Sequence, residues 1–92
     1  MDRTGSPILE RHPTLYFLDG DIVLYATKPS GDVQAFRVDR VYLTRSSPVF
    51  RELLSTPSAS NMTEAFEGAP VLRLSDDAIE LANLLELLYN TV

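Results

Sequence analysis

The sequence predicts a small α+β domain in which a three-stranded sheet is flanked by a cluster of short helices. Three observations predict it. A continuous run of apolar and β-branched residues occupies positions 22–27, a serine–proline pair at 47–48 marks a helix start, and a wide apolar helix follows position 77. The 92 residues fall within the size of one domain. A chain of that length buries only roughly 60% of the surface it exposes when unfolded, so its core is small.

Three segments have strand patterns. Residues 22–27 form the continuous apolar run that is typical of a strand covered on both faces, so we expect a central strand. Turn-forming residues 28–32 follow, and residues 33–38 then alternate, which predicts a β-hairpin. Residues 71–74 alternate leucines against valine and arginine, and this third short strand completes the small sheet.

Two short helices are predicted after the hairpin. The apolar residues within positions 40–45 are too crowded for another strand and fit a short helix. Ser47 and Pro48 then resemble an N-cap and a first-turn proline, because the serine oxygen can accept from a free backbone N–H and proline has none to satisfy. This second helix ends near Ser55, and one of its faces is apolar, with Val49, Phe50, Leu53 and Leu54.

Two segments are predicted to lie outside regular structure. Residues 1–13 contain Gly5, Pro7 and Pro13 among charged residues, and we expect a flexible leader there. Residues 55–70 are small and polar at first and acidic later, which predicts a long surface loop. Met62 and Phe66 within it are candidates to tether the loop or to contact a partner, and a mobile insertion is the alternative.

The last helix is predicted to begin at Asp77. Asp77 and Glu80 have the spacing of a capping box. Most positions of this helix are apolar, as expected of a buried helix: Ala78, Ile79, Leu81, Ala82, Leu84, Leu85, Leu87, Leu88 and Tyr89. One small sheet cannot cover so wide a face. We therefore expect either further helices beyond Val92 or a second chain to cover it.

Composition disfavours several classes of function. Thirteen acidic against eight basic residues give a net charge of −5, which repels nucleic-acid backbones and anionic membrane surfaces. The first 13 residues are polar and have no apolar run after a basic start, so we expect neither a signal peptide nor a membrane anchor. The absence of cysteine excludes disulfides and thiolate sites and suits a reducing compartment. We expect an intracellular protein, of the cytoplasm or nucleus, that binds neither nucleic acid nor membrane.

Catalytic and cofactor chemistry has little support in the sequence. His12 is the only histidine and lies in the predicted leader, without a cysteine or a nucleophile-elbow serine. Asp19 and Asp21 lack the further oxygen ligands of an EF-hand calcium loop. The glycines are isolated, so no phosphate-binding loop is predicted. We expect no enzymatic activity, no cofactor and no metal site.

Residues 36–50, FRVDRVYLTRSSPVF, resemble the signature of the BTB/POZ family, a phrase like F-x-V-H-R-x-V-L-x-R-x-S-P-V-F. Residues 19–24 are similar to the opening strand of that family, and residues 71–74 and 87–89 to its third strand and following helix. The resemblance extends over residues 18–89. It implies that residues 14–92 form a BTB/POZ domain that lacks its C-terminal helices, because the family's domain usually continues with two more helices.

The resemblance also implies partners and candidate site residues. Family members commonly form homodimers, and some recruit cullin-type ubiquitin ligases or transcriptional co-repressors. Asp21 and Arg40 match the aspartate and arginine of a charged pocket at the dimer groove in well-known relatives; an ion pair within the domain is the alternative. Asp39 departs from the histidine that usually precedes this arginine. We therefore expect a homo-oligomerising interaction domain, or alternatively a monomeric adaptor, similar to elongin C, that docks on a ubiquitin-ligase scaffold.

Overall fold

The computed structural model describes residues 8–55 and 64–90. Within these residues the chain forms five strands and three helices. The strands are β1 (Leu9–Tyr16), β2 (Ile22–Thr27), β3 (Val33–Val38), β4 (Ala65–Phe66) and β5 (Ala69–Asp77). The helices are α1 (Arg40–Ser46), α2 (Pro48–Ser55) and α3 (Ala78–Tyr89). The α+β class is confirmed, but the sheet has five strands in this part of the chain, not the three that the sequence pattern predicted.

Strand β2 is the centre of a mixed sheet with strand order β1-β3-β2-β5-β4. It pairs antiparallel with β3, from Ile22 opposite Val38 to Thr27 opposite Val33, which confirms the predicted hairpin. It pairs in parallel with β5, and β1 pairs in parallel with β3. The first five residues of β2 are all buried, as its continuous apolar sequence predicts.

The two faces of the sheet carry two separate hydrophobic clusters, because alternate residues of a strand point to opposite faces. The larger cluster lies between the sheet and the helices and contains Leu15, Ile22, Leu24, Ala26, Phe36, Val38, Leu43, Phe50, Ala78, Leu81 and Leu85. The smaller cluster lies on the other face and contains Val23, Tyr25, Ala35, Ala69 and Val71. Both faces of β2 are therefore covered, one by helices and the other by the region around β4.

The predicted starts of α2 and α3 are confirmed at the caps. Ser47 Oγ accepts a hydrogen bond from the Phe50 N–H at 3.4 Å, and Pro48 is the first residue of α2. The Asp77 carboxylate accepts from the N–H groups of Ile79 and Glu80, at 2.9 Å and 3.3 Å. No helix among the described residues has the length and hydropathy required of a transmembrane span.

Strand β1 corrects the expectation of a flexible leader over residues 1–13. The strand begins at Leu9, opposite Val33 of β3, and residues 1–7 lie outside the described part of the chain. Its sequence is polar and contains Pro13 because it is the edge of the sheet, where one side of the strand faces solvent and a missing N–H is tolerated. Edge strands lack the apolar alternation on which the sequence prediction depended.

Strands β4 and β5 correct the expectation of a surface loop over residues 55–70. β4 and β5 form a hairpin whose turn consists of Glu67 and Gly68, both with positive φ, 51° and 88°. Two consecutive positive φ angles are typical of the type I′ turns that join tightly connected strands. β5 extends over nine residues rather than the four predicted. Residues 56–63 lie outside the described part of the chain.

A bulge interrupts β1 and is held by His12. Arg11 lies opposite Ala35 and Tyr16 opposite Arg37, so β1 advances five residues where β3 advances two. His12 Nδ1 accepts hydrogen bonds from the N–H groups of Leu15, at 2.9 Å, and Thr14, at 3.2 Å. The imidazole stacks on Phe36, with ring centroids 5.0 Å apart. The bulge thus directs Leu15 into the larger cluster.

We predict that His12 makes the fold sensitive to mild acid. Burial lowers the pKa of His12 below its usual 6.5, and the nearby Glu86 carboxylate acts in the opposite direction. Once Nδ1 is protonated, it can no longer accept the hydrogen bonds from the N–H groups of Thr14 and Leu15. The unfolded chain therefore binds the proton more readily than the folded chain. The stability that His12 contributes is present above about pH 6.5 and is lost as pH falls through its folded pKa.

The measurement is urea unfolding of the wild-type chain and of His12→Asn at several values between about pH 7 and pH 5. Asparagine offers an acceptor oxygen near the position of Nδ1 but does not titrate. We expect the wild-type chain to lose more stability than His12→Asn over this interval. Equal losses in the two proteins would show that His12 does not control the acid response.

Candidate interaction surface

The turn after β1, the start of α1 and the end of α3 meet around three aromatic rings. We call Phe17, Tyr42 and Tyr89 the aromatic corner. The ring of Tyr89 stacks on that of Tyr42, with centroids 4.5 Å apart and planes inclined by 26°. Phe17 approaches Tyr89 from another side, at 5.0 Å. Such ring pairs stabilise beyond the area they bury, by about 0.5–1.5 kcal/mol each.

The two tyrosine hydroxyls bind backbone groups of other elements. Tyr89 Oη accepts a hydrogen bond from the Asp39 N–H at 3.0 Å, just before α1 begins. Tyr42 Oη donates to the carbonyl oxygen of Leu88 in α3. Each helix therefore satisfies a backbone group at the end of the other, and the two hydroxyls fix α1 against the last turn of α3.

Burial raises the pKa of Tyr89 to about 12. The hydrogen bond from the Asp39 N–H favours the ionised form and acts in the opposite direction. The nearby carboxylates of Asp39 and Asp21 raise the pKa further, because a second negative charge is unfavourable there. Tyr89 is thus neutral over the physiological range and sits among acidic groups.

Asp21 and Arg40, two of the residues expected at a binding site, are brought together at this corner. Asp21 Oδ1 accepts a hydrogen bond from the backbone N–H of Arg40 at 2.7 Å. That N–H is the first of α1 and has no partner within the helix. Asp39, which precedes the helix, makes no capping bond with its own side chain. Asp21 therefore takes the place of the N-cap side chain from across the turn.

The expected ion pair between Asp21 and Arg40 is not formed. None of the ion pairs within the described residues joins these two side chains. Arg40 Nε is buried and has no hydrogen-bond partner in the described part of the chain. The sheet is still fixed to the first helix by Asp21, but through the backbone of Arg40 rather than through its charge.

Three exposed apolar side chains belong to the elements that form the aromatic corner. Leu18 is 75% exposed and follows Phe17 in the chain; Val41 is 60% exposed and precedes Tyr42. Leu87, 66% exposed, lies in the last turn of α3, two residues before Tyr89. We call Leu18, Val41 and Leu87 the exposed apolar surface. Scattered apolar residues are normal on a protein surface, but three on the elements that form one rigid cluster are candidates for a contact.

Phe66, the third candidate residue, lies on the opposite face of the sheet. Its ring packs edge-on against Tyr16, at 6.2 Å, and Tyr25, at 6.1 Å, and it covers the smaller hydrophobic cluster. The structure thus places Phe66 in the tethering position that the sequence left open as one alternative. Met62, the fourth candidate, lies outside the described residues.

The aromatic corner was not predicted from the sequence. Tyr89 was assigned only to the apolar face of α3, and neither Phe17 nor Tyr42 was singled out. The contacts that assemble the corner join residues 46 and 50 positions apart, and no local pattern indicates such pairs. The resemblance pointed to this region only through Asp21 and Arg40.

No three acidic or histidine side chains of the described residues are grouped so that they could hold a metal ion. Comparison of the chain with protein-family models, with curated proteins and with solved structures found no match.

We predict that Asp21 and Arg40 contribute independently to stability. Asp21→Ala removes the acceptor for the first N–H of α1 and should lower the free energy of unfolding by about 1 kcal/mol. Arg40→Ala leaves that N–H in place. In a double-mutant cycle measured by urea unfolding, we expect a coupling energy below about 0.5 kcal/mol.

The control for this cycle is Asp21→Asn, which removes the charge but retains an acceptor oxygen. It should cost less than Asp21→Ala. A coupling energy well above about 1 kcal/mol between Asp21 and Arg40 would instead indicate a charge–charge contact and contradict the backbone-capping assignment.

A second prediction concerns alkaline pH. The unfolded chain loses the Tyr89 proton near pH 10, whereas the folded chain keeps it until about pH 12. The stability contributed by Tyr89 is therefore fully present below about pH 10 and is lost as pH rises through its folded pKa. Tyr89→Phe should show a shallower loss of stability than the wild-type chain between about pH 9 and pH 11, measured by urea unfolding.

Tyr89→Phe should still lose some stability at alkaline pH, because burial also raises the pKa of Tyr16 and Tyr25. At neutral pH this variant should be less stable than the wild-type chain, since the Asp39 N–H loses its acceptor. An unchanged alkaline slope would show that the Tyr89 hydroxyl is accessible to solvent in the folded chain.

Proposed function

We propose that this chain is a BTB/POZ-like interaction domain that self-associates through the exposed apolar surface. The observation that carries the proposal is the exposure of three large apolar side chains, Leu18, Val41 and Leu87, on the elements that form the aromatic corner. The helices α1 and α3 are held there by ring stacking and by two hydroxyl–backbone hydrogen bonds. Apolar side chains on a rigid support lose little further freedom when a second copy covers them.

The edges of the sheet offer less to a partner than the helices do. At one edge, β1 is interrupted by the His12 bulge and contains Pro13, and both features disfavour further strand pairing. At the other edge, β4 has only two residues. Association through the helices is therefore favoured over association by adding a strand to the sheet.

The order of elements supports the BTB/POZ-like part of the proposal. A β-hairpin, two short helices, the short strand β4, the longer strand β5 and a longer helix follow one another from β2 to α3, and β4 is the element that the resemblance does not imply. The resemblance to the family implies that order over residues 18–89. The segment that resembles the family's signature most closely, residues 36–50, contains the end of β3, all of α1 and the start of α2.

Charge opposes the association of two copies. Each copy carries a net charge of −5, so two copies repel at low ionic strength. Apolar burial must exceed this repulsion, and fully burying a side chain of the size of valine or leucine contributes about 1.5–3 kcal/mol. Self-association should therefore strengthen with added salt, which screens the repulsion and leaves the apolar contact intact.

The experiment is sedimentation equilibrium across a wide range of protein concentration, at low and moderate salt. We expect the wild-type chain to form dimers and Val41→Ser to weaken dimerisation about tenfold, since about 1.4 kcal/mol corresponds to a factor of ten. Leu18→Ser should act in the same direction. Val49→Ser is the matched control, because Val49 is also 60% exposed but lies on α2, which contributes no residue to the aromatic corner.

The outcomes separate three interpretations. A monomer at every concentration would overturn self-association and would direct attention to a different protein as the partner. Equal weakening by Val49→Ser and Val41→Ser would show that the contact lies elsewhere. Far-UV circular dichroism of each variant excludes unfolding as the cause, because all three positions are exposed.

A further inference from the structure

A cleft of ≈ 390 Å³ opens between the bulge of β1 and the last turn of α3. Its described lining consists of Thr14, Leu15, Phe17, Glu86, Tyr89 and Asn90. The volume falls within the range of about 300–1,000 Å³ that ligand-binding pockets occupy. On one side of the cleft, the backbone of Thr14 and Leu15 is held by hydrogen bonds to His12. On the other side, Tyr89 is held by its hydrogen bond with the Asp39 N–H.

Glu86 is the charged residue of the described lining, and Thr14 and Asn90 contribute neutral polar groups. Glu86 places an exposed carboxylate at the rim. The C-terminal end of α3 carries the negative end of the helix dipole, and the last turn of this helix has no basic residue. None of the described lining residues is basic. His12, which lies near Glu86, is neutral near pH 7 because burial lowers its pKa.

The apolar groups of the cleft are two aromatic rings. Phe17 and Tyr89 are only half-buried and their planes are inclined by 52°, so they form an angled surface rather than a flat wall. A cation above the face of such a ring is attracted by the negative face of its quadrupole. The charged groups that act on the Tyr89 hydroxyl are the carboxylates of Asp39 and Asp21, which add to the attraction.

We infer that this cleft receives the guanidinium group of an arginine presented by a segment of another protein. A guanidinium is planar and can stack on a ring while it donates hydrogen bonds to a carboxylate, whereas an ammonium group is a strongly hydrated point charge that does not stack. A basic partner is favoured over a second copy of this chain, because the chain carries a net charge of −5 and attracts basic segments.

This inference goes beyond the proposed self-association and does not depend on it. The exposed apolar surface consists of Leu18, Val41 and Leu87, none of which lines the cleft. A monomeric chain can still bind arginine, and a chain that dimerises can lack the arginine site. The two proposals therefore fail separately.

The test is a nuclear magnetic resonance titration of the full isotope-labelled chain with N-acetyl-arginine methylamide near neutral pH and at low salt. We expect saturable shifts of the backbone signals of Phe17, Glu86 and Asn90. The comparison probe is N-acetyl-citrulline methylamide, which has a similar shape but no charge. It should bind at least about twofold more weakly, because it forms neither the charge pair nor the cation–ring contact.

Matched variants locate the carboxylate. Glu86→Gln should weaken binding of the arginine probe by about two- to fivefold, the range expected of an exposed ion pair. Glu80→Gln makes the same change of charge at an exposed position in the first turn of the same helix, and should leave the affinity unchanged. Both positions are exposed, so neither variant is expected to disturb folding.

Three results would overturn the inference. One is the absence of saturable shifts at the cleft with the arginine probe, and another is equal affinity for the citrulline probe. The third is equal weakening by Glu80→Gln and Glu86→Gln, which would show attraction by the net charge of the chain rather than binding in the cleft. Sedimentation equilibrium of the same samples shows whether self-association changes independently.

Discussion

The rest of the structure depends on the burial of β2 on both faces. Its residues from Ile22 to Ala26 are all apolar and all buried, so the chain must supply a cover on each side of the sheet. The helices supply one cover, with Leu43, Leu81 and Leu85 packed over the larger cluster. The other cover comes from segments that are far less apolar. This second cover includes β4, a strand that the sequence pattern did not predict.

The second cover is a thin layer of rings and ion pairs around the β4–β5 turn. Phe66 packs on Tyr16 and Tyr25, and Arg73 lies over the ring of Tyr25 at 5.0 Å. Glu67 holds a positive φ, which costs a residue other than glycine roughly 1 kcal/mol or more.

Three contacts hold the strained Glu67 in place. Its carboxylate accepts from Arg11 and from the Tyr16 hydroxyl, and its carbonyl oxygen accepts from Arg37 at 3.2 Å. The first two bonds also lower the pKa of Glu67, and Arg11 contributes most. The exposed ion pair is worth little by itself, so the value of this network lies in positioning the turn over the smaller cluster.

Local patterns were sufficient for the elements that are specified by their own residues. The β2–β3 hairpin follows from an apolar run and a turn sequence, and the starts of α2 and α3 follow from Ser47 and Asp77. The predictions failed for β1 and β4. Both are edge strands. Leu9 pairs with Val33, which is distant in the chain, whereas Phe66 pairs with Ala69 through a tight turn that begins at Glu67, not at glycine.

The candidate site shows the same division between local and distant information. The family resemblance implied that Asp21 and Arg40 lie close together, but it could not show that the carboxylate binds the backbone and not the guanidinium. That distinction depends on the orientation of a turn that precedes β2 relative to a helix that follows β3. Likewise, the wide apolar face of α3 was evident, but its division into buried Leu81 and Leu85 and exposed Leu87 depends on where the sheet ends.

The end of α3 is where this division has the greatest consequence. Its last turn bears Tyr89, which contacts α1 through Tyr42 and Asp39 and the turn after β1 through Phe17. The same side chain also lines the cleft. The two tyrosine hydroxyls are satisfied by backbone groups of the corner itself. Apolar groups and carboxylates that are held rigidly by an already satisfied framework can bind a partner without first losing internal contacts. The hydrogen-bonded framework and the exposed groups are therefore different parts of the molecule, and for this reason we propose that self-association and arginine binding both involve the region around the end of α3.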